Sequence, residues 1–487
     1  MLLPLRPEDN PQSNAERKPR LIIHGGAGNI TPSNLPQERY KEYRQALLTI
    51  LAITTEYMNK PLPENGGDDN RSGGDSGKDG VGRREKKDKY PSSLAVATRA
   101  VSLMEDNPLF NSGHGAVFTR DGVQEMEASV MVSRGYKKRG VGVMGLSHVR
   151  NPILLAKAVL EHGDEDLGGG NGEHRGPMES NMNMRDGMCG QELDAPSAQG
   201  HTLIFGQAAE QLAESYGLEK APKEYFFDKR RWDEHVRALE REKEGESVTA
   251  TWSAEEYLPQ GTCGAVCMDR DGVVCCATST GGMTNKLTGR IGDTPTVGAG
   301  FWAEQFEKKG MPAWASGRMA SVNRSSNSTS ASSTSMGMTT VVDMGLSGTG
   351  NGDSFLRLGA ARQVGAIARY RPTSVLDAVR EVTGPRGELQ KSAGKRWGET
   401  GEGEGGMIAI EGEVVKDSDE NVVASGYKII QEYNCGGMFR AWLDDKGKGH
   451  FRVWKEGVEA DPAFKHEGEG VVVNMEDWLY DRQFLSS

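Results

Sequence analysis

Gly261-Thr262-Cys263-Gly264-Ala265-Val266-Cys267-Met268, then Asp269-Arg270-Asp271-Gly272, then Val273 through Thr280 read as strand, turn and returning strand. Gly272 can take the left-handed conformation that closes a three-residue hairpin loop. A loop of 270–272 is centred on Asp271, and Thr262 and Thr280 lie equally far to either side of it. The register therefore sets the two threonines opposite each other, with Cβ atoms about 4.5–5.5 Å apart. Hydroxyls at that spacing can hydrogen-bond, although a Thr–Thr pair also simply suits a sheet.

The surroundings favour chemistry. Gly261 stands immediately before Thr262, behind a polar stretch. A glycine there leaves the preceding carbonyl open to attack by the Thr262 hydroxyl. Cleavage at Gly261–Thr262 would make Thr262 a new N-terminus. Its α-amine, with an ordinary pKa near ~8, could act as base for its own hydroxyl. Gly281-Gly282 follow Thr280 and let the backbone pass close to a ligand. Arg290 and Asp293 lie just beyond. An Arg fork grips a carboxylate and an Asp binds an ammonium, which suits the two ends of an α-amino acid; an ordinary surface ion pair is the plainer alternative. Thr349-Gly350-Asn351-Gly352-Asp353 follows an apolar run and precedes a helix-like 354–369. It lacks the Lys-Ser/Thr of a phosphate loop and the spacing of the dinucleotide fingerprint. An oxyanion site for acyl transfer is the better reading.

Working outward, 487 residues are enough for a large core or for two to three domains. A net charge of −11 argues against nucleic-acid or membrane-surface partners, which need clustered positive charge. Six cysteines are too sparse for a disulfide scaffold, and no apolar run is long enough to span a membrane. The expected compartment is the cytoplasm. Residues 1–20 read as a disordered arm. Residues 36–58, 92–104 and 151–162 carry helical spacing, 115–146 suggest strands, and 203–243 a helix or two. Low-complexity insertions are expected at 62–90, 317–337 and 384–405, and flexible linkers at about 163–200 and 244–261. Strands and helices mix without strict alternation, so the class is α+β or a layered sandwich rather than a doubly wound sheet.

Several motifs together resemble the plant-type L-asparaginase/isoaspartyl aminopeptidase family. They are Gly261-Thr262-x-Gly-Ala-Val, Ala277-Thr-Ser-Thr-Gly-Gly-Met-Thr-Asn-Lys-Leu, Gly289-Arg-Ile-Gly-Asp and Thr349-Gly-Asn-Gly. His24-Gly-Gly-Ala-Gly, the run from Asn107 to Thr119, Ser147-His-Val-Arg-Asn-Pro and Met438-Phe-Arg-Ala-Trp add to them. The resemblance covers most of 21–162 and 203–455. It implies a four-layer αββα sandwich of the N-terminal nucleophile hydrolase type. Self-cleavage would give an α subunit of 21–261 and a β subunit of 262–487. Thr262 would be the nucleophile and Thr280 its hydroxyl neighbour. Arg290 and Asp293 would hold the substrate's carboxylate and ammonium, with Gly352 and Asn111 at the same site. Thr349 and Gly350 would supply oxyanion donors. The family's sodium loop would fall at 104–114, through backbone carbonyls of Met104, Glu105, Asn107, Phe110, Ser112 and His114. No cofactor would be needed for the chemistry, the substrates would be asparagine and β-aspartyl dipeptides, and the processed units would pair as a homodimer.

The chain also departs from its relatives. Cys435-Gly436 stands where they usually have Thr-Glu. Glycosylasparaginases and threonine aspartases, the runner-up readings, usually have Asp where this chain has Gly261. A relative that never cleaves and acts as a binding protein is the alternative of another class. Cys267 and Cys275 also fall opposite each other in the hairpin and read as free thiols, and His24 reads as a structural histidine at a strand end.

Overall fold

The computed structural model describes residues 17–63, 89–167, 197–244, 261–310, 312, 337–455 and 470–478. Thirteen strands are placed among them: β1 Arg20–Gly28, β2 Met126–Val132, β3 Gly140–Leu146, β4 Leu203–Phe205, β5 Cys263–Met268, β6 Val274–Thr280, β7 Phe301–Lys309, β8 Thr339–Gly350, β9 Gly405–Lys416, β10 Val422–Tyr433, β11 Gly437–Leu443, β12 Lys448–Arg452 and β13 Val471–Asn474. They form a nine-stranded sheet in the order β13-β12-β11-β1-β5-β6-β2-β3-β4 and a four-stranded sheet β10-β9-β8-β7. Helices α1 Gln37–Asn59, α2 Ser93–Glu105, α3 Pro152–Asp166, α4 Gly206–Ser215, α5 Lys223–Phe226 and α6 Lys229–Lys243 precede Thr262, and α7 Gly352–Leu358, α8 Ala360–Tyr370, α9 Val375–Thr383 and α10 Glu388–Ala393 follow it. The class is α+β, as the mixed pattern implies.

The hairpin arithmetic is met along β5 and β6. Cys263 pairs with Ser279, Ala265 with Ala277, and Cys267 with Cys275. Asp269 and Gly272 close the turn, with Gly272 N–H donating to Asp269 O at 3.0 Å and Gly272 at φ +80°. Both strands are buried at every position, which is why they read as unbroken apolar and small residues rather than as a strict alternation.

Side-chain alternation sends the residues of β5 into two different cores. Ala265 and Cys267 join a cluster with Leu47 and Leu51 of α1, Val101 of α2 and Val159 of α3. Val266 and Met268 join one with Phe301 and Ala303 of β7 and Ile408 and Ile410 of β9. Burial on both faces of the nine-stranded sheet thus fixes β5 from two sides. A third cluster packs Val364 and Ile367 of α8, Val379 of α9 and Leu389 of α10 onto Val342 and Leu346 of β8. The cap residues are where local chemistry puts them: Ser92 accepts from Ala95 N–H ahead of α2, and Asn351 accepts from Ser354 N–H ahead of α7.

Three boundaries differ from the sequence reading. The span 384–405, expected as a low-complexity insertion, contains α10, because Leu389 and Ala393 share one helix face and are both buried. Its far end packs on the Asn351 turn: Gly403 N–H donates to Ser354 Oγ at 3.0 Å, and Asn351 N–H to Glu404 O at 2.9 Å. Residues 163–166 belong to α3 rather than to a linker, since the buried Asp164 carboxylate accepts from Lys137 N–H at 2.8 Å. Arg20, given to the arm, opens β1, is buried and pairs with Asp445 at 3.0 Å. The rest of the arm before residue 17, most of 62–90 and 317–337, and the expected linkers at 168–196 and 245–260 lie outside the described residues.

Candidate active site

Thr262 sits at the mouth of β5 and is 6% exposed. Gly261 before it has φ +135°, and a Cβ there would lie 2.5 Å from Gly26 Cα and 3.1 Å from Thr349 Oγ1. Only glycine fits between β1 and the end of β8. Thr349 is fully buried, and its Oγ1 accepts from Ala27 N–H at 3.2 Å. The end of β8 is thereby tied to the Gly25–Ala27 turn beside the 261–262 bond.

Register continues the hairpin to Thr262 opposite Thr280, but the hydroxyls do not pair with each other. Thr280 Oγ1 accepts from Gly282 N–H at 3.1 Å. Thr262 Oγ1 instead faces Thr294 Oγ1 at 3.2 Å. Thr294 directly follows Asp293 and has no exposed surface. Sequence reasoning missed it because it stands in an irregular loop, where no register rule reaches. Its adjacency to the acid chosen for ammonium binding was the available signal.

Asp293, Arg290 and Gly352 come together as expected. A Cβ on Gly352 would lie 2.5 Å from Asp293 Oδ1 and 3.2 Å from Arg290 Nη2, so the glycine keeps the space between acid and base open. Arg290 is largely buried and is held by Asp353 at 3.1 Å. Asp293 Oδ2 is buried with no hydrogen-bond partner. Burial, with Glu127 close by, pushes the Asp293 carboxyl up to about 7, against the pull of Arg290. Glu127 is a second residue that sequence reading missed. It is buried on β2, accepts from Gly292 N–H with both oxygens at 3.2 Å, and is itself raised by burial against the opposing Lys286 and Arg290. Asn111 lies at the Gly281–Gly282 turn that follows Thr280: its Nδ2 donates to Gly282 O at 2.7 Å, and its Oδ1 accepts from Val117 N–H at 3.1 Å.

Beside β5, His24 Nε2 pairs with Ser347 Oγ at 2.8 Å, and Ser347 Oγ with Thr278 Oγ1 at 3.0 Å. Burial drives the imidazole down to about 3, so His24 is neutral at physiological pH and serves as a fixed polar strut. On the α2 side, Ser279 Oγ donates to Glu105 Oε1 at 2.7 Å and lies 2.7 Å from Ser112 Oγ. The 104–114 loop is therefore tied to the residue next to Thr280. Within that loop the carbonyl oxygens of Glu105, Pro108 and Phe110 crowd the space that Cβ atoms on Gly113 and Gly115 would need. Only glycine fits at either position, and the loop is packed tightly round the two of them. Among the described residues no cluster of His, Cys, Asp and Glu side chains could hold a metal. All five described cysteines are free thiols, including the facing Cys267 and Cys275.

The family described as asparaginase matches residues 86–186 and 197–308. An isoaspartyl peptidase of Escherichia coli (strain K12) is 30% identical over 424 residues, covering 87% of this chain and 92% of the relative. The chain belongs to the isoaspartyl peptidase and plant-type asparaginase family. An isoaspartyl peptidase of Salmonella typhimurium is likewise 30% identical, over 87% of this chain and 94% of the relative. A plant-type L-asparaginase of Pyrococcus furiosus is 28% identical over 288 residues, which is 58% of this chain and 70% of that protein.

Proposed function

We propose that the protein cleaves itself between Gly261 and Thr262 and then hydrolyses L-asparagine and β-aspartyl dipeptides. The observation that carries the reading is the Arg290–Gly352–Asp293 notch, joined to the Thr262 hydroxyl through Thr294. The names of the relatives point to the same substrates.

In this reading Arg290 takes the substrate's α-carboxylate and Asp293 its α-ammonium. Asp293 Oδ1, which faces the Gly352 notch beside Arg290, is the oxygen placed to receive that ammonium. The side-chain carbonyl then falls near Thr262. Thr262 Oγ1 attacks it while the α-amine takes the hydroxyl proton. Thr349 and Gly350 face the oxyanion that forms. The proton passes to the departing ammonia or amino acid, and water hydrolyses the acyl-threonine. Thr280 helps to orient the mature nucleophile. The clamp makes recognition strict at the aspartyl end and loose beyond it.

The proposal extends to the fold's layering, an ion, the compartment and the assembly. The helix, sheet, sheet, helix succession of the three cores supports a four-layer αββα sandwich. The 104–114 loop would hold sodium through the carbonyls of Met104, Glu105, Asn107, Phe110, Ser112 and His114, a purely structural ion that rigidifies the approach to Asn111. Free thiols support a reducing cytoplasm. No described helix is long and apolar enough to cross a membrane. Pairing as a homodimer of processed units follows the family resemblance.

The test is turnover of asparagine, a β-aspartyl dipeptide and its N-acetylated form by processed protein. The first two should be hydrolysed. Acetylation removes the charge that Asp293 binds and leaves that acid unpaired, at a cost of about 1–3 kcal/mol, or roughly 5- to 150-fold in kcat/KM. Equal turnover of free and acetylated forms would contradict the clamp and favour the glycosylasparaginase or threonine-aspartase reading.

A further inference from the structure

The self-cleavage step lacks the base that the mature enzyme would use. While Gly261 and Thr262 are joined, the Thr262 nitrogen is an amide and has no basicity to lend its own hydroxyl. Another group has to hold that hydroxyl for attack on the Gly261 carbonyl.

Register would give the task to Thr280, but Thr280 Oγ1 is engaged by Gly282 N–H. The hydroxyl that meets Thr262 in the continuous chain is Thr294 Oγ1. Thr294 is fully buried, so water does not compete for this contact. Its carbonyl accepts from Ser129 Oγ at 2.6 Å, which pins the residue to β2, and Pro295 follows it. The pairing is therefore between two anchored groups, one at the strand mouth and one on a braced loop.

We infer that Thr294 is the positioning residue for self-cleavage, its hydroxyl holding Thr262 Oγ1 in line with the Gly261 carbonyl, whereas Thr280 serves the mature nucleophile. The inference rests on the cleavage reading above and assigns a step within it. In that step a bond forms between Thr262 Oγ1 and the Gly261 carbonyl carbon. The Gly261 carbon–nitrogen bond breaks, and the hydroxyl proton ends on the departing Thr262 nitrogen. The resulting ester is hydrolysed by water to a Gly261 carboxylate and a free Thr262 hydroxyl and amine. Thr294 is unchanged at the end.

The experiment follows cleavage of freshly made protein over time on a denaturing gel for wild type, Thr294→Val, Thr294→Ala, Thr294→Ser and Thr383→Val. Thr383 is a buried threonine whose hydroxyl donates to Val379 O within α9, far along the chain from the cleavage bond. Thr294→Val should slow cleavage about tenfold or more. Thr294→Ser should restore it to within about threefold of wild type, and Thr383→Val should cleave like wild type. Thr294→Ala gives the same reading if the valine variant fails to fold. Cleavage of Thr294→Val or Thr294→Ala at the wild-type rate overturns the inference, as does a serine variant as slow as valine, which would assign the effect to packing. A wild-type chain that never yields an N-terminal Thr262 overturns the cleavage reading itself. Normal cleavage in wild type with equal rates in the variants overturns only the role of Thr294.

Discussion

The charge clamp is a matter of single residues. Arg290 offers a planar fork and lies beside Asp293 across Gly352. Arg290→Lys keeps the charge but replaces the fork with one compact ammonium. It should lower kcat/KM for asparagine about 10- to 100-fold, chiefly through KM; an unchanged KM would contradict the assignment. The acid has its own signature in pH. The Asp293 carboxyl is pushed up to about 7 by burial and by Glu127, with Arg290 opposing and Asp353 adding a little. A raised carboxyl is protonated below that value, so its hold on the substrate ammonium fades as pH falls through about 7. By linkage the same shift favours the folded ligand-free protein at low pH and is lost as pH rises through about 7. KM for asparagine should therefore climb as pH drops from 8 to 5. Glu127→Gln removes the neighbouring like charge and should move that limb to lower pH. A limb that stays in place in the variant would rule out Asp293 as its source.

Elements bring these residues together, and they differ in how openly the sequence declares them. The β5–β6 hairpin is local, so counting from Asp271 gave its register, including the facing Cys267 and Cys275. Counting could not say which hydroxyl Thr262 meets, because Thr294 arrives from a loop after β6. Glu127 was equally hidden: it is one acid in a strand, and its meaning comes from Gly292, Lys286 and Arg290 folding over it. Composition misled at 384–405, where glycine, glutamate and lysine mask the pair Leu389 and Ala393. That helix has a consequence for the site. Leu389 is fully buried, its helix packed against α7 and α9, and the loop that follows α10 carries Gly403 and Glu404 onto the Asn351 turn. Leu389→Ala should cost about 2–4 kcal/mol of stability. Urea unfolding would measure it, and a loss below about 0.5 kcal/mol would mean that the segment is a surface loop after all.

At the scale of the whole molecule, two long polar stretches leave and rejoin the fold at single points. Leu62 N–H donates to Lys89 O at 2.7 Å, so the first departs and returns at one place. The second joins β7 to β8 at the end where Lys309 pairs with Thr339. Thr349 lies ten residues further along β8, roughly 33 Å away at ~3.3 Å per residue. Removing 317–337 should therefore leave kcat/KM for asparagine within about threefold, since shortening such a loop changes closure entropy only slightly. Loss of all turnover in a folded deletion would place that stretch in the site. The central claim is that the chain makes its own nucleophile, and the most direct measurement is intact mass with N-terminal sequencing of the purified, active protein. The account predicts two fragments, residues 1–261 and 262–487, the second beginning at Thr262. A single uncut chain that still hydrolyses asparagine, or a second fragment beginning at any other residue, would contradict it.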